Sequence, residues 1–242
     1  MRFMAAAFLS VILLCGCVNK PAEMLGGCVR GSGNTVAQPR NLMPFTSVEA
    51  TGPITVYVTS GEASAVTVEA EDNIAGLVKA RVEGDRLILG VDEKSCVLEM
   101  KPINVKVSAR RINALSAAAS AHILTENELN ADELRLTASE SGRIDASAKA
   151  AKVRTSATSA GAVNVGGSAS SHEAYAASKG RITGYNLLAD DADATAETSG
   201  YVEAYAAKTL KARAETGGIV RHRGGAEVGK MEATGGLVAA TD

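Results

Sequence analysis

The sequence predicts an all-β protein, a single-stranded right-handed parallel β-helix with coils of about 18–21 residues and a less regular N-terminal part. Three observations support this fold class. A short phrase recurs at a nearly fixed period, its residues alternate between small or apolar and polar, and each repeat contains glycine with several Ser, Thr or Val residues, which form helices poorly. A period near twenty residues without a helical stripe is typical of a stacked solenoid.

The repeated phrase has an alanine, a glycine four residues later, and Ile or Val two residues after the glycine, with Ser or Thr between the alanine and the glycine. A sixth copy replaces only the leading alanine. The copies are residues 138–144, 157–163, 176–182, 196–202, 214–220 and 232–238. Successive copies are 18 to 20 residues apart, as their glycines show: Gly142, Gly161, Gly180, Gly200, Gly218 and Gly236.

The phrase alternates in a way that predicts a strand with one buried face. Counting from the glycine, the even positions of most copies hold Ala, Ser or Thr, Gly, and Ile or Val, whereas the odd positions hold mostly polar residues such as Arg143, Asn164 and Glu203. We therefore expect inward columns of like residues about 4.8 Å apart, with alanine on alanine, hydroxyl on hydroxyl and Ile on Val. No single coil could bury its apolar face alone, so neighbouring coils must supply the stability.

The chain begins with the features of an exported lipoprotein. Residues 3–14 form an apolar run that is too short to span a membrane and has the length of a signal-peptide core. The run ends in Leu-Cys-Gly-Cys at residues 14–17, which resembles the bacterial lipobox and implies that residues 1–16 are removed and that the Cys17 thiol is lipidated. Val18 follows instead of an aspartate, which favours the outer membrane, facing either the periplasm or the cell surface. An ordinary secretory peptide is the alternative.

Residues 17–33 contain Pro, Gly and Ser and are predicted to form a tether between the lipid and the folded body. The remaining cysteines of the mature chain are Cys28 and Cys96. Export favours a disulfide between them, which would close a loop of about 69 residues and contribute roughly 4 kcal/mol. Two free buried thiols are the alternative. Neither cysteine has a second Cys or His at ligand spacing, so we expect no metal site and no cofactor.

Residues 34–242 are predicted to form the β-helix, with irregular coils at 34–112 and regular repeats at 113–242. In the first part, short alternating runs are separated by Gly, Asp, Asn and Glu, which favour turns. Two earlier segments, residues 51–54 and 119–123, already echo the repeated phrase. The predicted strands of the first part are residues 45–50, 54–60, 65–71, 78–84, 86–91 and 103–109.

Four ordered segments, residues 31–34, 45–62, 66–74 and 83–89, together resemble the head GIN domain, also called the putative auto-transporter adhesin family. The family's Gly-Ile-Asn-like signature falls at residues 52–55, where proline and threonine depart from the usual residues. The resemblance covers nearly all of the mature chain. It implies a β-helical, exported, often lipid-anchored protein of Bacteroidetes-like bacteria, and it transfers no catalytic residue because the family has none established. "Adhesin" is a label of analogy, and a fold alone does not define a function.

A glycan-active enzyme is the main rival hypothesis, because parallel β-helices also include polysaccharide lyases and hydrolases. The best acidic cluster is Asp190, Asp191 and Asp193, in a predicted loop between coils, where a solvated acidic turn is the commoner role. Aromatic residues make up 3% of the chain and tryptophan is absent, which counts against a deep sugar groove. The balance of 25 basic and 27 acidic residues argues against nucleic acid as a partner.

The three histidines, His122, His172 and His222, are spaced by 50 residues and should not share a column of a period near 19. No recurring motif surrounds them, so we expect structural rather than ligand roles. His222 falls on an inward position, which is unusual for a core of small residues. Ser139, Ser159 and Ser178 are better explained as repeat residues than as nucleophiles.

Tyrosines supply the one candidate interaction surface. Tyr185 and Tyr205 occupy equivalent outward positions in adjacent coils, and Tyr201 has the same parity, so their rings could stack on one outer sheet. Ordinary β-propensity on a solvated face is the alternative. The sequence ends directly after the sixth phrase, so we expect another subunit or a short irregular turn to cover the last coil.

Together these features predict a non-catalytic cell-envelope lipoprotein that displays a β-helical surface for adhesion or for a protein or glycan ligand. Its expected partners are the membrane, through the lipid on Cys17, and a second copy of the chain. A polysaccharide lyase-like enzyme and a self-assembling structural envelope protein are the alternative functions.

Overall fold

A computed structural model describes residues 28–92, 95–98 and 100–241, and 68% of the chain is strand. The strands form a solenoid of about seven turns, and one short helix, α1 (Asp72–Ala75), interrupts them. The strands are β1 (Cys28–Arg30), β2 (Thr35–Arg40), β3 (Ser47–Thr51), β4 (Ile54–Ser60), β5 (Ala65–Glu71), β6 (Val78–Glu83), β7 (Arg86–Val91), β8 (Cys96–Leu98), β9 (Ile103–Ala109), β10 (Ala114–Ala118), β11 (His122–Thr125), β12 (Leu129–Ala138), β13 (Arg143–Ala157), β14 (Ala162–Ala176), β15 (Arg181–Ala196), β16 (Tyr201–Tyr205), β17 (Thr209–Glu215), β18 (Ile219–Arg223), β19 (Glu227–Thr234) and β20 (Leu237–Ala240).

The regular repeats stack as parallel strands in register, which confirms the predicted parallel β-helix. β13 pairs with β14 and β14 with β15 along most of their lengths. The alanines that lead the repeats lie beside one another through five coils: Ala138, Ala157, Ala176, Ala196 and Ala214. Each coil therefore uses its neighbours as hydrogen-bond partners and as packing surface, as expected of a structure in which stability is shared between repeats.

The core contains a second column of β-branched residues, as the alternation of the phrase predicts. Its members pair in register and are at most 1% exposed: Ile144, Val163, Ile182, Val202 and Val220. β-Branched side chains pack well on a pleated surface, and repetition of similar shapes leaves little empty space between coils. The interior is narrow because many of its other buried positions hold alanine.

The hydroxyl residues of the phrase do not fill an inward column, so that expectation was wrong. Ser159, Ser178 and Thr198 are exposed and have φ values of 49°, 50° and 48°. Each is the first of two left-handed residues in a tight turn, and the turn is closed by an N–H bond such as the one from Gly161 to the Thr158 carbonyl, at 2.8 Å. Two left-handed central residues define a type I′ turn, which interrupts the alternation of the strand.

The glycine of the phrase is required by a close approach of two backbones. A Cβ on Gly142, Gly161 or Gly180 would collide with the carbonyl of the leading alanine one coil earlier; for Gly161 that alanine is Ala138. These glycines are buried and directly follow the left-handed pair. The repeat thus keeps glycine so that each turn can lie flat against the next coil.

The predicted strands of the N-terminal part are present, but their spatial order differs from their order in the sequence. β3 and β4 lie between the coil of β10 and β11 on one side and the coil of β7 and β9 on the other. β5 pairs antiparallel with β9, β2 with β5, and β6 with β7. This antiparallel set covers the N-terminal end of the stack, so the edge of the first coil is protected.

A buried carboxylate fixes this N-terminal cover. Glu71 is 3% exposed, and its two oxygens accept backbone N–H bonds from Gly33 at 2.5 Å and from Lys101 at 2.9 Å. Two distant segments are therefore joined at the end of β5. Burial of a carboxylate is costly without such donors, so the pair of N–H groups accounts for its place in the interior.

Candidate functional site

The three predicted tyrosines lie on one outer face of the stack. Tyr201 pairs in register with Arg181, whose guanidinium lies 4.0 Å from the centroid of the tyrosine ring. The Tyr201 hydroxyl donates to Glu203 Oε1 at 2.7 Å. Burial, followed by this hydrogen bond, raises the pKa of Tyr201. The ring and the hydroxyl of Tyr201 are therefore both engaged within the protein.

Tyr185 is engaged in the same way. The Arg223 guanidinium lies 4.4 Å from the centroid of its ring, and its hydroxyl lies 3.1 Å from Thr241 Oγ1. Tyr205 is half-buried and pairs in register with Arg223. Two of the three rings thus stack on arginine, and such cation–π contacts stabilise the coils that they join.

A groove on another outer face was not predicted. Two adjoining depressions of about 570 and 390 Å³ share Asp193 and Thr195 and extend over six strands, β12 to β15, β17 and β19. We name this the Tyr175 groove. One side is the column Arg135, Arg154, Glu173, Asp193 and Lys211. The other is the column Thr137, Ser156, Tyr175, Thr195, Arg213 and Glu232.

Ion pairs hold the first part of the groove. Arg154 bridges Glu133 and Glu173 at 3.0 Å each, and Arg135 Nε lies 2.8 Å from Glu133 Oε1. Lys152 also pairs with Glu173. The hydrogen bond from Arg135 lowers the pKa of Glu133. Because Arg154, Glu133 and Glu173 each have two partners, this network fixes the side chains at the edge of the groove more firmly than isolated surface pairs would.

The middle of the groove offers groups that are not used internally. Tyr175 is 39% exposed. Its hydroxyl donates to Glu197 Oε2 at 3.0 Å, so the part that is available to a ligand is the ring. Asp193 and Lys211 are register partners in adjacent coils, and within the described part of the chain neither side chain has a hydrogen bond or an ion pair. An exposed ring, a carboxylate and an ammonium therefore lie together on a rigid sheet.

The acidic cluster lies within β15 and not in a loop, which corrects the sequence-based prediction. Asp190 pairs with Lys208 at 3.0 Å, and the Thr209 hydroxyl donates to Asp191 at 2.5 Å. Only Asp193 faces the Tyr175 groove. Among the described residues, no group of three or more His, Cys, Asp or Glu side chains could hold a metal ion.

The histidines occupy three different environments, as their spacing predicts. His122 Nε2 lies 2.6 Å from Asp145 Oδ2 on the outer face. Burial alone would raise the pKa of Asp145, but hydrogen bonds from Arg143, His122 and Asn164 outweigh it and lower the pKa to about 2. This group is a surface hydrogen-bond cluster between coils.

The other two histidines point inward. His172 is 1% exposed, and burial lowers its pKa to about 4. His222 is half-buried, and burial lowers its pKa as well. Within the described structure, His172 Nδ1 and His222 Nε2 are buried without a hydrogen-bond partner. Neither lies among the residues of the Tyr175 groove, so we assign them to the core.

Cys28 and Cys96 are joined by a disulfide between the register partners of β1 and β8, with an S–S distance of 1.97 Å. Cys17, the predicted lipidation site, and residues 1–16, the predicted signal peptide, lie outside the described residues. In the part of the chain that the structure describes, no helix has the length and apolar character to cross a membrane.

Tyr185, Tyr201 and Tyr205 were singled out from the sequence, but Tyr175 was not. This residue stands between Ala174 and Ala176, five positions before Gly180, on the same outward parity as the polar residues of the repeat. That parity was a usable signal. The groove itself depends on which side chains of six coils become neighbours, and this requires the register.

The fold and its outer surfaces define a parallel β-solenoid whose polar side chains form regular external columns. Residues 44–226 match the family described as "Putative auto-transporter adhesin, head GIN domain", and the chain belongs to this family. No match was found among curated proteins.

Solved structures show the same architecture. A putative adhesin from Bacteroides fragilis is 19% identical, with a TM-score of 0.81 over 88% of this chain and 98% of its own. A putative adhesin from Parabacteroides merdae is 16% identical, with a TM-score of 0.70 over 89% and 100%. A putative lipid binding protein from Parabacteroides distasonis is 18% identical, with a TM-score of 0.71 over 88% and 99%. At these identities the likeness concerns the fold.

Proposed function

We propose that the protein is a non-catalytic cell-envelope lipoprotein that is anchored in the outer membrane through Cys17 and displays its β-helix to bind a protein or glycan. The observation that supports this best is the Tyr175 groove, a continuous external surface assembled from equivalent positions of six coils. Membership of an adhesin-like family agrees with a display role. The predicted tether agrees with it too, but it is shorter than residues 17–33, because Cys28–Arg30 form β1 and Gly33 donates to Glu71 in the folded body.

Adhesion is tested with bacterial cells that express the full chain, measured by their retention on surfaces coated with glycoprotein. We expect retention above that of cells carrying an empty vector, and a loss of retention when purified protein competes. Equal retention of both cell types on every coated surface would contradict the display role. A signal that purified protein cannot compete away would count against it as well.

The anchor is tested separately by metabolic labelling with a fatty acid. Cys17→Ser should abolish labelling and release the protein from the outer-membrane fraction, whereas Cys15→Ser, two residues earlier, should leave both unchanged. Labelling that survives Cys17→Ser would refute the lipidation site.

We also propose that Cys28 and Cys96 are oxidised in the exported protein, which intact mass under non-reducing conditions measures directly.

Self-association is a second proposal, favoured by the C-terminal coil. Among the described residues, β19 and β20 pair with β17 and β18 and have no strand neighbour on their other side. Unpaired edges favour pairing with another chain. Light scattering over a range of concentrations should show an oligomer of constant mass, and a monomer at every concentration would refute this proposal.

A glycan-active enzyme receives less support. Asp190 and Asp191 are each engaged by a side chain of the next coil, and the described residues contain no metal-binding carboxylate group. The family and two of the three structural neighbours named above are described as putative adhesins. We therefore keep cleavage as an outcome to be tested and not as the proposed activity.

A further inference from the structure

We propose that the Tyr175 groove binds a linear, hydroxyl-rich oligosaccharide that lies along the stack, with one sugar ring against Tyr175. This inference rests on the binding role proposed above and names the ligand class and the site for it.

The dimensions of the groove suit an extended chain of sugars. Six strands contribute to it, and a spacing of ~4.8 Å between strands gives a length of ~24 Å. The two depressions join at Asp193 and Thr195, so the path is continuous. Equivalent positions recur at every coil, so each successive unit of a linear ligand meets a polar or aromatic side chain.

The lining has the chemistry that sugar hydroxyls require. Asp193 accepts hydrogen bonds, Lys211 donates them, and the Thr195 hydroxyl can do both. The side chains of Asp193 and Lys211 are not committed to other groups within the described structure. Tyr175 adds an exposed aromatic ring that can pack against the apolar C–H face of a sugar ring. All of these groups project from strands of a paired sheet, so little order has to be created on binding.

A peptide strand fits this surface less well. β14 is hydrogen-bonded on one side to β13 and on the other to β15, so the backbone groups below the groove are already paired. A peptide could not extend the sheet there, and it would lose the main-chain bonds that give such complexes their affinity.

The charge of the groove also favours a ligand rich in hydroxyls. Its lining contains four basic residues, Arg135, Arg154, Lys211 and Arg213, and three acidic ones, Glu173, Asp193 and Glu232. Several of these charges pair with one another across coils. This near balance provides donors and acceptors together and gives no strong preference for a polyanion.

The test uses the full chain with Tyr175→Trp. The chain has no tryptophan, so this substitution places a single fluorophore in the groove while retaining an aromatic ring. Its emission is titrated with cellohexaose, chitohexaose and a hexagalacturonate, and with the disaccharide of each. We expect saturable blue-shifted emission with a neutral hexasaccharide, weaker binding of its disaccharide, and no preference for the galacturonate.

Matched variants locate the site. Calorimetry should show that Tyr175→Ala weakens binding of that hexasaccharide about tenfold, as expected for loss of an aromatic contact. Ser156→Trp fills the groove without removing Tyr175 and should also weaken binding. Tyr201→Trp, on the other outer face, should bind normally and show no change in emission. Circular dichroism of each variant establishes that it is folded.

The outcomes separate this inference from the broader function. If no saccharide alters Tyr175→Trp or binds the wild type, while cells expressing the chain are still retained on glycoprotein, the saccharide groove is refuted and the display role stands. If neither binding is observed, both fail. Equal binding by wild type, Tyr175→Ala and Ser156→Trp would place the saccharide elsewhere and overturn the assignment of this groove.

Discussion

The buried His172 should make the stability of the protein depend on pH. It lies in an inward column between Val153 and Ala192, where every other coil places an apolar residue. Its Nε2 is 3.0 Å from Thr155 Oγ1, and within the described structure Nδ1 has no partner. Neither register partner carries a charge, so nothing in this column compensates a protonated ring, and burial lowers the pKa of His172 from 6.5 to about 4.

The sign and the size of the effect follow from linkage. The unfolded chain takes up a proton on this histidine below pH 6.5, whereas the folded chain does so only near pH 4. The part of the unfolding free energy that depends on His172 is therefore highest above pH 6.5. It falls as the pH decreases towards 4 and is constant below that. The difference between the two pKa values corresponds to about 3 kcal/mol in total and about 2 kcal/mol at pH 5.

The perturbation is His172→Leu, which replaces the ring by an aliphatic group of similar size in an aliphatic column. The Thr155 hydroxyl keeps the Glu173 carbonyl, at 3.5 Å, as an acceptor. Urea unfolding between pH 4 and 8, followed by circular dichroism, should show that the variant lacks the wild type's loss of about 3 kcal/mol, a shift in midpoint of roughly 1 M.

Val153→Ala is the matched control, because it alters the same column one coil away without changing a titrating group. It should lower stability equally at every pH. If His172→Leu and the wild type lose stability in parallel as the pH falls, then His172 is either accessible to solvent or already protonated in the fold, and the account of this buried ring is refuted.

Three further predictions concern the stack and its N-terminal cover. Gly161→Ala should lower the free energy of unfolding by at least ~2 kcal/mol, measured in urea, because the new Cβ would collide with the Ala138 carbonyl; a neutral effect would refute the close approach. Ile144→Ala should cost ~2–5 kcal/mol, since the side chain is fully buried, and a cost below that of an exposed control would refute the register of its column. Cys96→Ser should cost roughly 4 kcal/mol in the chain-entropy model, since its bond to Cys28 spans 68 positions, and dithiothreitol should have the same effect on the wild type but none on the variant.

The repeats made most of the regular stack predictable. Alanine and Ile or Val recur with the period of the coil and alternate with polar residues, and the structure places them in two inward columns, as at Ala157 and Val163. The prediction of an inward hydroxyl column was wrong because a two-residue turn interrupts the alternation of the strand. Ser159 has the parity of an inward residue but lies at the tip of a type I′ turn.

Long-range order could not be read from the sequence. The alternation of the N-terminal part identifies strands. It does not indicate that β3 and β4 lie between the coil of β10 and β11 and the coil of β7 and β9, or that antiparallel strands pair with β7 and β9. The candidate site has the same limit. Tyr175 and Asp193 become neighbours in one groove only through the register of β14 on β15, which places Glu173 beside Asp193.

The central claim, that this β-helix binds an external chain and does not alter it, is tested most directly by incubation with the hexasaccharide that binds best. Bound ligand and ligand length are then measured on the same sample by equilibrium dialysis and mass spectrometry. We predict saturable binding with the hexasaccharide recovered intact, and reduced binding by Tyr175→Ala. Recovery of shorter saccharides with the wild type, lost in Asp193→Asn, would contradict the account and identify an enzyme.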